Sequence, residues 1–233
     1  MPRYSNAYSM LTERLEEVKT ISASAKKTER GKLLGKNAKL ISALCRGGVV
    51  LLSSHIEGYI VDLNELMLES IINKKVKKNK INKGFRYYHS RDLIDNLLKI
   101  DDFEKSANVV SALFERDGFI WNDHPEFIGS FDNRRFMKGF STPKPEKIYA
   151  LFRRYGHENL RRDIQVSLKR DFAFHQTNVL ALVDLRNNIA HGDLNATQTP
   201  DDLMRLCNST KIFCREIDIS ICNWCTDNKF TIR

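Results

Sequence analysis

The chain has 233 residues, of which 42% are hydrophobic and 29% charged, a balance typical of a soluble domain that buries a core. Lys and Arg number 38 against 29 Asp and Glu, and this net charge of +9 favours a polyanionic partner such as RNA, DNA or an acidic protein. Eleven glycines and five prolines are too few for a β-barrel with many tight turns. Five cysteines, an odd number, without an apolar N-terminal leader predict a cytoplasmic protein. The longest apolar run, Gly47 to Leu52, predicts no membrane span, because a span needs about 20 residues.

Apolar residues at spacings of three and four predict four main helices. The first covers about residues 5–29 and the second about 37–72, whose apolar residues lie on more than one face, as expected of a central helix. The third covers about 171–191, and the last begins at Thr199, an N-cap followed by proline and two acids. The pattern predicts an all-α fold, an up-and-down four-helix bundle in a single domain over residues 1–233.

The stretch between the second and third main helices, about residues 74–155, is predicted to be a helical insertion. Short helices are expected at about 92–98, 103–116 and 145–155. Its large aromatic residues are expected to form the core of the insertion rather than to stack on bases. These residues are Trp121, Phe127, Phe131, Phe136 and Phe140.

Residues 74–91, at the start of the insertion, are strongly basic and contain no acid. Such a segment is either a solvated linker or an arm that binds RNA phosphates and stacks bases on its aromatic rings. Its aromatic side chains are Phe85, Tyr87, Tyr88 and His89. The candidate RNA-binding residues are Lys74, Lys75, Lys77, Lys78, Lys80, Lys83 and Arg86. Residues 134–170, with eleven Lys or Arg against three acids, predict a second basic surface.

Arg186 lies on an apolar face of the third main helix, three residues after Val183 and seven after Val179. An unpaired guanidinium on a buried face is costly, so Arg186 must meet an acid, a second chain or a ligand phosphate. His191 follows five residues later, beside the glycine that ends the helix. The two residues lie about 140° apart around the helix axis, but the long arginine side chain reaches towards the same helix end.

The run Arg186-Asn187-Asn188-Ile189-Ala190-His191 resembles the signature of the HEPN superfamily, which is an arginine, a polar residue, a few further residues and a histidine. RGGVVLL at 46–52 with HIEGY at 55–59, and TPKPEKI at 142–148, resemble segments of stand-alone bacterial HEPN proteins. The resemblance covers most of the chain outside 92–135. It implies a homodimer that cuts RNA without a metal ion or other cofactor, its two motifs facing each other. It also implies a toxin or anti-phage role, with an antitoxin or a neighbouring defence protein as a possible partner.

Four residues are candidates for the catalytic site: Arg186, His191, Asn187 and Glu57. Histidine titrates near neutrality and suits proton transfer, whereas arginine offers forked donors to phosphate oxygens. Asn187 would orient either the phosphate or the histidine. Glu57, on a partly apolar line of the second helix, either pairs with Arg186 or is a solvated surface acid.

Other potentially reactive residues are expected to be structural. Cys222 and Cys225 form a Cys-x-x-Cys pair, but the sequence has no second such pair and no His-x-x-x-His pair, so no metal site is predicted. His55 is expected to be a core histidine and Asp193 a turn residue.

Two functions remain open at this point, an endoribonuclease and a non-catalytic HEPN module that binds RNA or a partner protein. The pairing of Arg186 with His191 favours the nuclease, since a binding module does not need it. We also expect the helix face with Val179, Val183 and Arg186 to lie at a two-fold interface.

Overall fold

A computed structural model describes residues 4–29 and 34–232, and this part of the chain is helical apart from turns and one isolated bridge between Lys77 and Glu126. The all-α prediction is confirmed. The helices are α1 Asn6–Glu29, α2 Leu34–Asn73, α3 Lys83–Leu97, α4 Phe103–Trp121, α5 Asn133–Phe136, α6 Pro145–Arg153, α7 Leu160–Leu168, α8 Phe172–Ala190 and α9 Pro200–Asp227. Short 3₁₀ turns cover Lys78–Lys80 and Lys169–Asp171.

The four long helices, α1, α2, α8 and α9, correspond to the four predicted main helices, with small shifts at their ends. Thr199 caps α9 as predicted. Its Oγ1 accepts from the amide of Asp202 at 3.1 Å, and the Asp202 carboxylate accepts from the Thr199 amide, which completes a capping box.

Long-range hydrogen bonds show that α2 and α9 run parallel. Tyr59 Oη, in the middle of α2, donates to the carbonyl of Cys214 at 3.1 Å. Ser70 Oγ, near the end of α2, donates to the carbonyl of Thr231, just beyond α9, at 2.7 Å. Both helices therefore advance together from one end of the molecule to the other.

The other two long helices run in the opposite direction. At the start of α1, Ser5 bonds to Asp218, late in α9, whereas Ser22, late in α1, donates to the carbonyl of Pro200, the first residue of α9. The loop 191–199 turns the chain from α8 back into α9, and these two helices pack side by side. The directions thus alternate along the chain through α1, α2, α8 and α9.

Helix α2 packs against α1, α8 and α9 and supplies much of the core. The predicted central position is confirmed by its fully buried Leu52, Ile56, Leu63 and Met67. By length and composition alone the segment Asn37–Asn73 is able to cross a membrane, although the core helix of a soluble protein meets the same criteria.

The insertion between α2 and α8 contains helices that the sequence analysis did not predict. Helix α3 covers the expected helix at 92–98 but begins nine residues earlier, at Lys83 in the basic segment, because Asn82 Oδ1 accepts from the amide of Gly84 at 2.7 Å and caps it. The short helices α5 and α7 were also not predicted. Helix α4 continues to Trp121, five residues beyond the expected 116.

Aromatic side chains form the core of the insertion, as predicted. Phe127 and Phe136 are buried, and Phe131 and Phe140 are partly buried against them. The prediction is wrong for Trp121, which is 37% exposed at the end of α4, where its Nε1 donates to Ser90 Oγ at 3.0 Å.

Two aromatic residues of the basic segment belong to this core instead of to an RNA-stacking surface. Phe85 is fully buried, and its ring lies 5.0–5.8 Å from the rings of Phe127, Phe131, Phe136 and Tyr155. His89 is 1% exposed. The stacking role considered for them is wrong, since α3 turns both side chains inwards.

Candidate functional site

The C-terminal end of α8 presents His191 to solvent in a fixed backbone geometry. Gly192 follows with a φ of +85°, and its amide donates to the carbonyl of Ile189 at 3.1 Å. The amide of Asp193 donates to the carbonyl of Asn188 at 3.0 Å. These two bonds form a Schellman cap, which satisfies the last carbonyls of the helix and fixes where the chain leaves it.

Arg186 is half-buried on the same helix, one and a half turns before His191. Its Nη1 donates to the side-chain oxygen of Asn187 at 3.2 Å. Among the described residues it forms no ion pair with a carboxylate. Within one chain the guanidinium therefore keeps most of its donors available for another partner.

Asn187 connects the two other motif residues. Its side-chain oxygen accepts from Arg186, and its carbonyl accepts from the amide of His191 at 2.9 Å. Arg186 and His191 make no hydrogen bond with each other in the described structure. Asn187 therefore holds the guanidinium beside the last turn, where the histidine lies.

The expected two-fold interface through Val179 and Val183 is wrong. Both side chains are 0% exposed within one chain, because this line of α8 packs against the other long helices. The neighbouring face of α8 is exposed instead and carries Leu180, Asn188 and His191. Any interface between two copies along α8 has to use that face.

Glu57 is partly buried on α2 and makes no hydrogen bond or ion pair with any described residue. The pairing with Arg186 that the sequence allowed is therefore not formed within one chain. Its assignment as a catalytic residue stays a prediction.

His55 and Asp193 have the structural roles expected of them. His55 is largely buried, with Nε2 3.2 Å from Glu17 Oε2 of α1, and burial lowers the pKa of its imidazole. Asp193 Oδ1 accepts from the amide of Asn195 at 2.8 Å, which closes a turn after the helix.

The basic segment differs from the prediction at one lysine. Lys74, Lys75, Lys77, Lys80 and Lys83 are exposed. Lys78 is only 5% exposed, and its Nζ donates to the carbonyl and the side-chain oxygen of Asn122 at 2.9 and 2.6 Å. Because burial dominates, the pKa of Lys78 is lowered. This lysine faces inwards and does not belong to the exposed row.

The motif and the basic segment lie towards opposite ends of α2. The loop after His191 lines a surface pocket with Ile41 and Ser42, in the first part of α2. The basic segment begins at Lys74, directly after the other end of that helix. A straight helix of 40 residues is about 60 Å long at 1.5 Å per residue. The two regions therefore lie apart along the length of one protomer.

Sequence reasoning missed the contacts that position the motif helix. Lys144, the N-cap residue of α6, places its Nζ 2.7 Å from Asp184 Oδ1, two residues before Arg186. Tyr149 Oη donates to Gln176 Oε1 at 2.9 Å. The TPKPEKI segment that resembles HEPN proteins thus packs directly on α8, but nothing in the sequence pairs these partners.

The cysteine pair lies in the core. Cys222 and Cys225 are both buried on the inner side of α9. Across residues 4–29 and 34–232, no group of three or more His, Cys, Asp or Glu side chains is arranged to hold a metal ion.

Comparison with known proteins gives one family. No curated protein and no solved structure matches the chain. Residues 9–223 match the family described as RiboL-PSP-HEPN, a span that includes the insertion as well as the Arg186–His191 motif. The chain therefore belongs to the RiboL-PSP-HEPN family, within the HEPN superfamily.

Proposed function

We propose that this protein is a metal-independent endoribonuclease in which Arg186, Asn187 and His191 act on a phosphodiester of RNA. Membership of the family supports a ribonuclease or an RNA-binding module. The nuclease assignment rests on one observation: a half-buried guanidinium without a carboxylate partner and an exposed histidine lie on the last two turns of the same helix, whose end is fixed by its cap. Around this site we propose that α1, α2, α8 and α9 form the up-and-down four-helix bundle of the superfamily.

The proposed reaction is attack of the ribose 2′-OH on the adjacent phosphorus. A base removes the 2′-OH proton, the new O2′–P bond forms, the P–O5′ bond breaks, and the 5′-oxygen takes a proton. His191 performs one of the two proton transfers. Arg186 stabilises the charge on the phosphate oxygens, which grows in the transition state. Asn187 positions Arg186. The products carry a 2′,3′-cyclic phosphate and a 5′-hydroxyl.

We further propose that the site is completed in a homodimer. The exposed face of α8 and the loop after it carry Leu180 and Leu194, which are 41% and 77% exposed. A two-fold contact through this face places both copies of the motif near the axis. There the carboxylate of Glu57 is a candidate to orient the partner's motif. Gel filtration with light scattering tests the dimer, and Leu194→Asp is expected to dissociate it and to abolish cleavage.

The decisive experiment incubates purified wild type, Arg186→Ala and His191→Ala with total RNA in the presence of EDTA. Each variant is expected to cleave about 10²-fold or more slowly than wild type, the usual scale for acid–base and electrostatic contributions. Lys105→Ala is the control, because Lys105 is an exposed residue of α4, outside the motif helix, and its side chain makes no ion pair with the described residues. Cleavage of DNA as fast as RNA, or loss of activity in EDTA, would refute the mechanism.

A second candidate function is a non-catalytic module that binds RNA. The position of the basic segment supports it, since this surface lies far along α2 from the motif and is able to bind RNA without it. A pure protein that binds RNA tightly and cuts none would establish this function. Under either function we propose a cytoplasmic toxin or anti-phage effector, with an antitoxin or a neighbouring defence protein as its partner.

A further inference from the structure

A cavity of about 300 Å³ opens between the basic segment and the loop that follows α4. Lys77, Lys78 and Arg86 line it from one side, and Asn122, Asp123 and His124 line it from the other. It is separate from the motif, since the basic segment begins at the far end of α2. Nothing in the proposed cleavage step uses it.

Hydrogen bonds hold the two sides of this cavity together. The amide of Lys78 donates to the carbonyl of Pro125 at 2.7 Å, and Lys77 forms an antiparallel bridge with Glu126. The buried Lys78 ammonium is fixed by its two bonds to Asn122 and lies 5.6 Å from the centre of the Phe127 ring. The cavity is therefore a preformed site on a rigid backbone.

Arg86 has no partner for its guanidinium in the described structure. Its Nε is buried without an acceptor, and the side chain forms no ion pair. Two other arginines of the insertion behave differently, since Arg116 is bidentate to Asp92 and Arg135 pairs with Asp117. A buried donor without an acceptor is uncommon in proteins, and a bound anion or water would satisfy it.

The charges around the cavity favour an anion. Lys77, Lys78 and Arg86 bring three cations together, against one carboxylate, Asp123, which is exposed. Burial and the neighbouring Arg86 both lower the pKa of Lys78, whereas Asp123 raises it. Lys78 and Arg86 repel each other, and an anion bound between them would remove that repulsion.

We propose that this cavity binds a phosphate group of an RNA strand, with the guanidinium of Arg86 and the ammonium of Lys78 as its donors. Arginine supplies the planar fork that matches phosphate oxygens, and lysine supplies a point charge. The exposed lysines of the same segment continue the positive surface on which the neighbouring phosphates lie. The proposal rests on RNA being the substrate, and it adds an anchoring site remote from cleavage.

The first test measures RNA binding in a His191→Ala background, where cleavage is removed. Fluorescence anisotropy with a labelled single-stranded RNA is followed over a range of salt concentrations for wild type and Arg86→Gln. Loss of one phosphate contact is expected to lower the slope of log K against log salt by about 0.7. Lys105→Gln is the control, an equal charge loss at an exposed lysine of α4 that makes no ion pair. An unchanged slope in Arg86→Gln, or an equal change in Lys105→Gln, would overturn the proposal.

A second readout separates a binding role from a structural one. Because Arg86 has no acceptor within the chain, Arg86→Gln is expected to unfold at the same temperature as wild type or at a higher one. Arg86→Lys is expected to restore part of the salt slope, because it keeps the charge but loses the fork. A lower melting temperature together with unchanged RNA affinity would make Arg86 a structural residue and refute the site.

Free anions and RNA are distinguished by competition. Inorganic phosphate and adenosine 5′-monophosphate are titrated against the protein–RNA complex and also tested for thermal stabilisation of wild type and Arg86→Gln. Weak competition that depends on Arg86 supports a phosphate subsite of RNA. If the mononucleotide binds tightly and this binding depends on Arg86, while Arg86→Gln leaves RNA affinity unchanged, the cavity is instead a site for a free nucleotide.

Cleavage kinetics separate this inference from the proposed function. Arg86→Gln is expected to raise KM for a long RNA without changing kcat, and to leave a short RNA unaffected. If wild type cleaves RNA and Arg86→Gln cleaves long RNA with an unchanged KM, the nuclease stands and the anchoring site fails. If wild type neither binds nor cuts RNA, both proposals fail.

Discussion

Gly192→Ala tests whether the cap of α8 positions His191. Gly192 has a φ of +85°, and an added Cβ would meet no atom within 4 Å, so the substitution causes backbone strain without a clash. The left-handed conformation costs an L-residue roughly 1–2 kcal/mol. For a domain of this size, each kcal/mol lowers the melting temperature by about 2–4 °C. We expect a loss of about 2–8 °C on this scale.

Two other glycines give matched controls for this substitution. Gly139, in the insertion, has a φ of +87° and equally open surroundings, so Gly139→Ala is expected to cost the same stability. Gly47 lies in the middle of α2, also in open space, and there Ala is the better helix former. Gly47→Ala is therefore expected to stabilise the protein by about 0.5–1 kcal/mol.

Activity then distinguishes the two destabilising variants. Urea unfolding gives the free energy of unfolding, and single-turnover cleavage of RNA is measured well below both melting temperatures. Gly192→Ala is expected to cleave at least several-fold more slowly than Gly139→Ala at equal stability, because only the first variant moves His191. Equal cleavage by both variants would show that the Schellman cap does not orient the histidine. A stability gain in Gly192→Ala would refute the assigned backbone geometry.

Three further predictions concern the insertion, the buried His157 and the exposed lysines. Tyr155→Phe removes a buried hydrogen bond of 2.8 Å to Asn64 Oδ1 and is expected to lower the free energy of unfolding by about 1–3 kcal/mol, measured by urea denaturation. Burial lowers the pKa of His157, so as the pH falls this imidazole takes up its proton in the unfolded chain before it does so in the folded one. The free energy of unfolding should therefore decrease below about pH 6.5. His157→Gln should flatten this pH dependence, and an unchanged pH profile would contradict the prediction. Replacing the exposed lysines of 74–83 with glutamine is expected to weaken RNA binding and its salt dependence while slow cleavage persists, and a flat salt response in wild type would indicate a protein partner instead.

The long helices were predictable because their signals are local. The apolar spacing of α8, its glycine stop and the Thr199 capping box all lie within a few residues of the features they determine. The short helix α7 was missed, since nine residues hold too few turns to show a period. Such a helix is stabilised mainly by what packs against it, in this case α9.

Composition located the basic segment but not the direction of its side chains. Lys78 points inwards because the amide of the same residue pairs with Pro125, more than forty positions further along the chain. Phe85 likewise joins a cluster of rings contributed by separate segments. Which of several adjacent lysines is buried depends on these distant partners, and the spacing of residues within the segment does not show which lysine that is.

Arg186 shows what helical periodicity can and cannot predict about a buried face. The apolar line through Val179 and Val183 is real, but the chain's own helices cover it, so the interface inferred from it was misplaced. Periodicity shows that a face is buried, but it does not show whether the same chain or a second copy covers it. The guanidinium of Arg186 is half-buried, and it forms no ion pair with a carboxylate of the described residues.

Arg186 and Arg86 together set a length requirement on the RNA. Each is a partly buried cation with no carboxylate partner in the described structure, and they belong to regions that lie apart along α2. An RNA that is held at Arg86 and cut at His191 of the same protomer has to bridge the separation between these regions. Short fragments would then reach only one site, so cleavage efficiency should rise with RNA length and level off once the strand bridges both. The same rise should be absent in Arg86→Gln, which makes substrate length the quantity that links the anchoring site to the catalytic one.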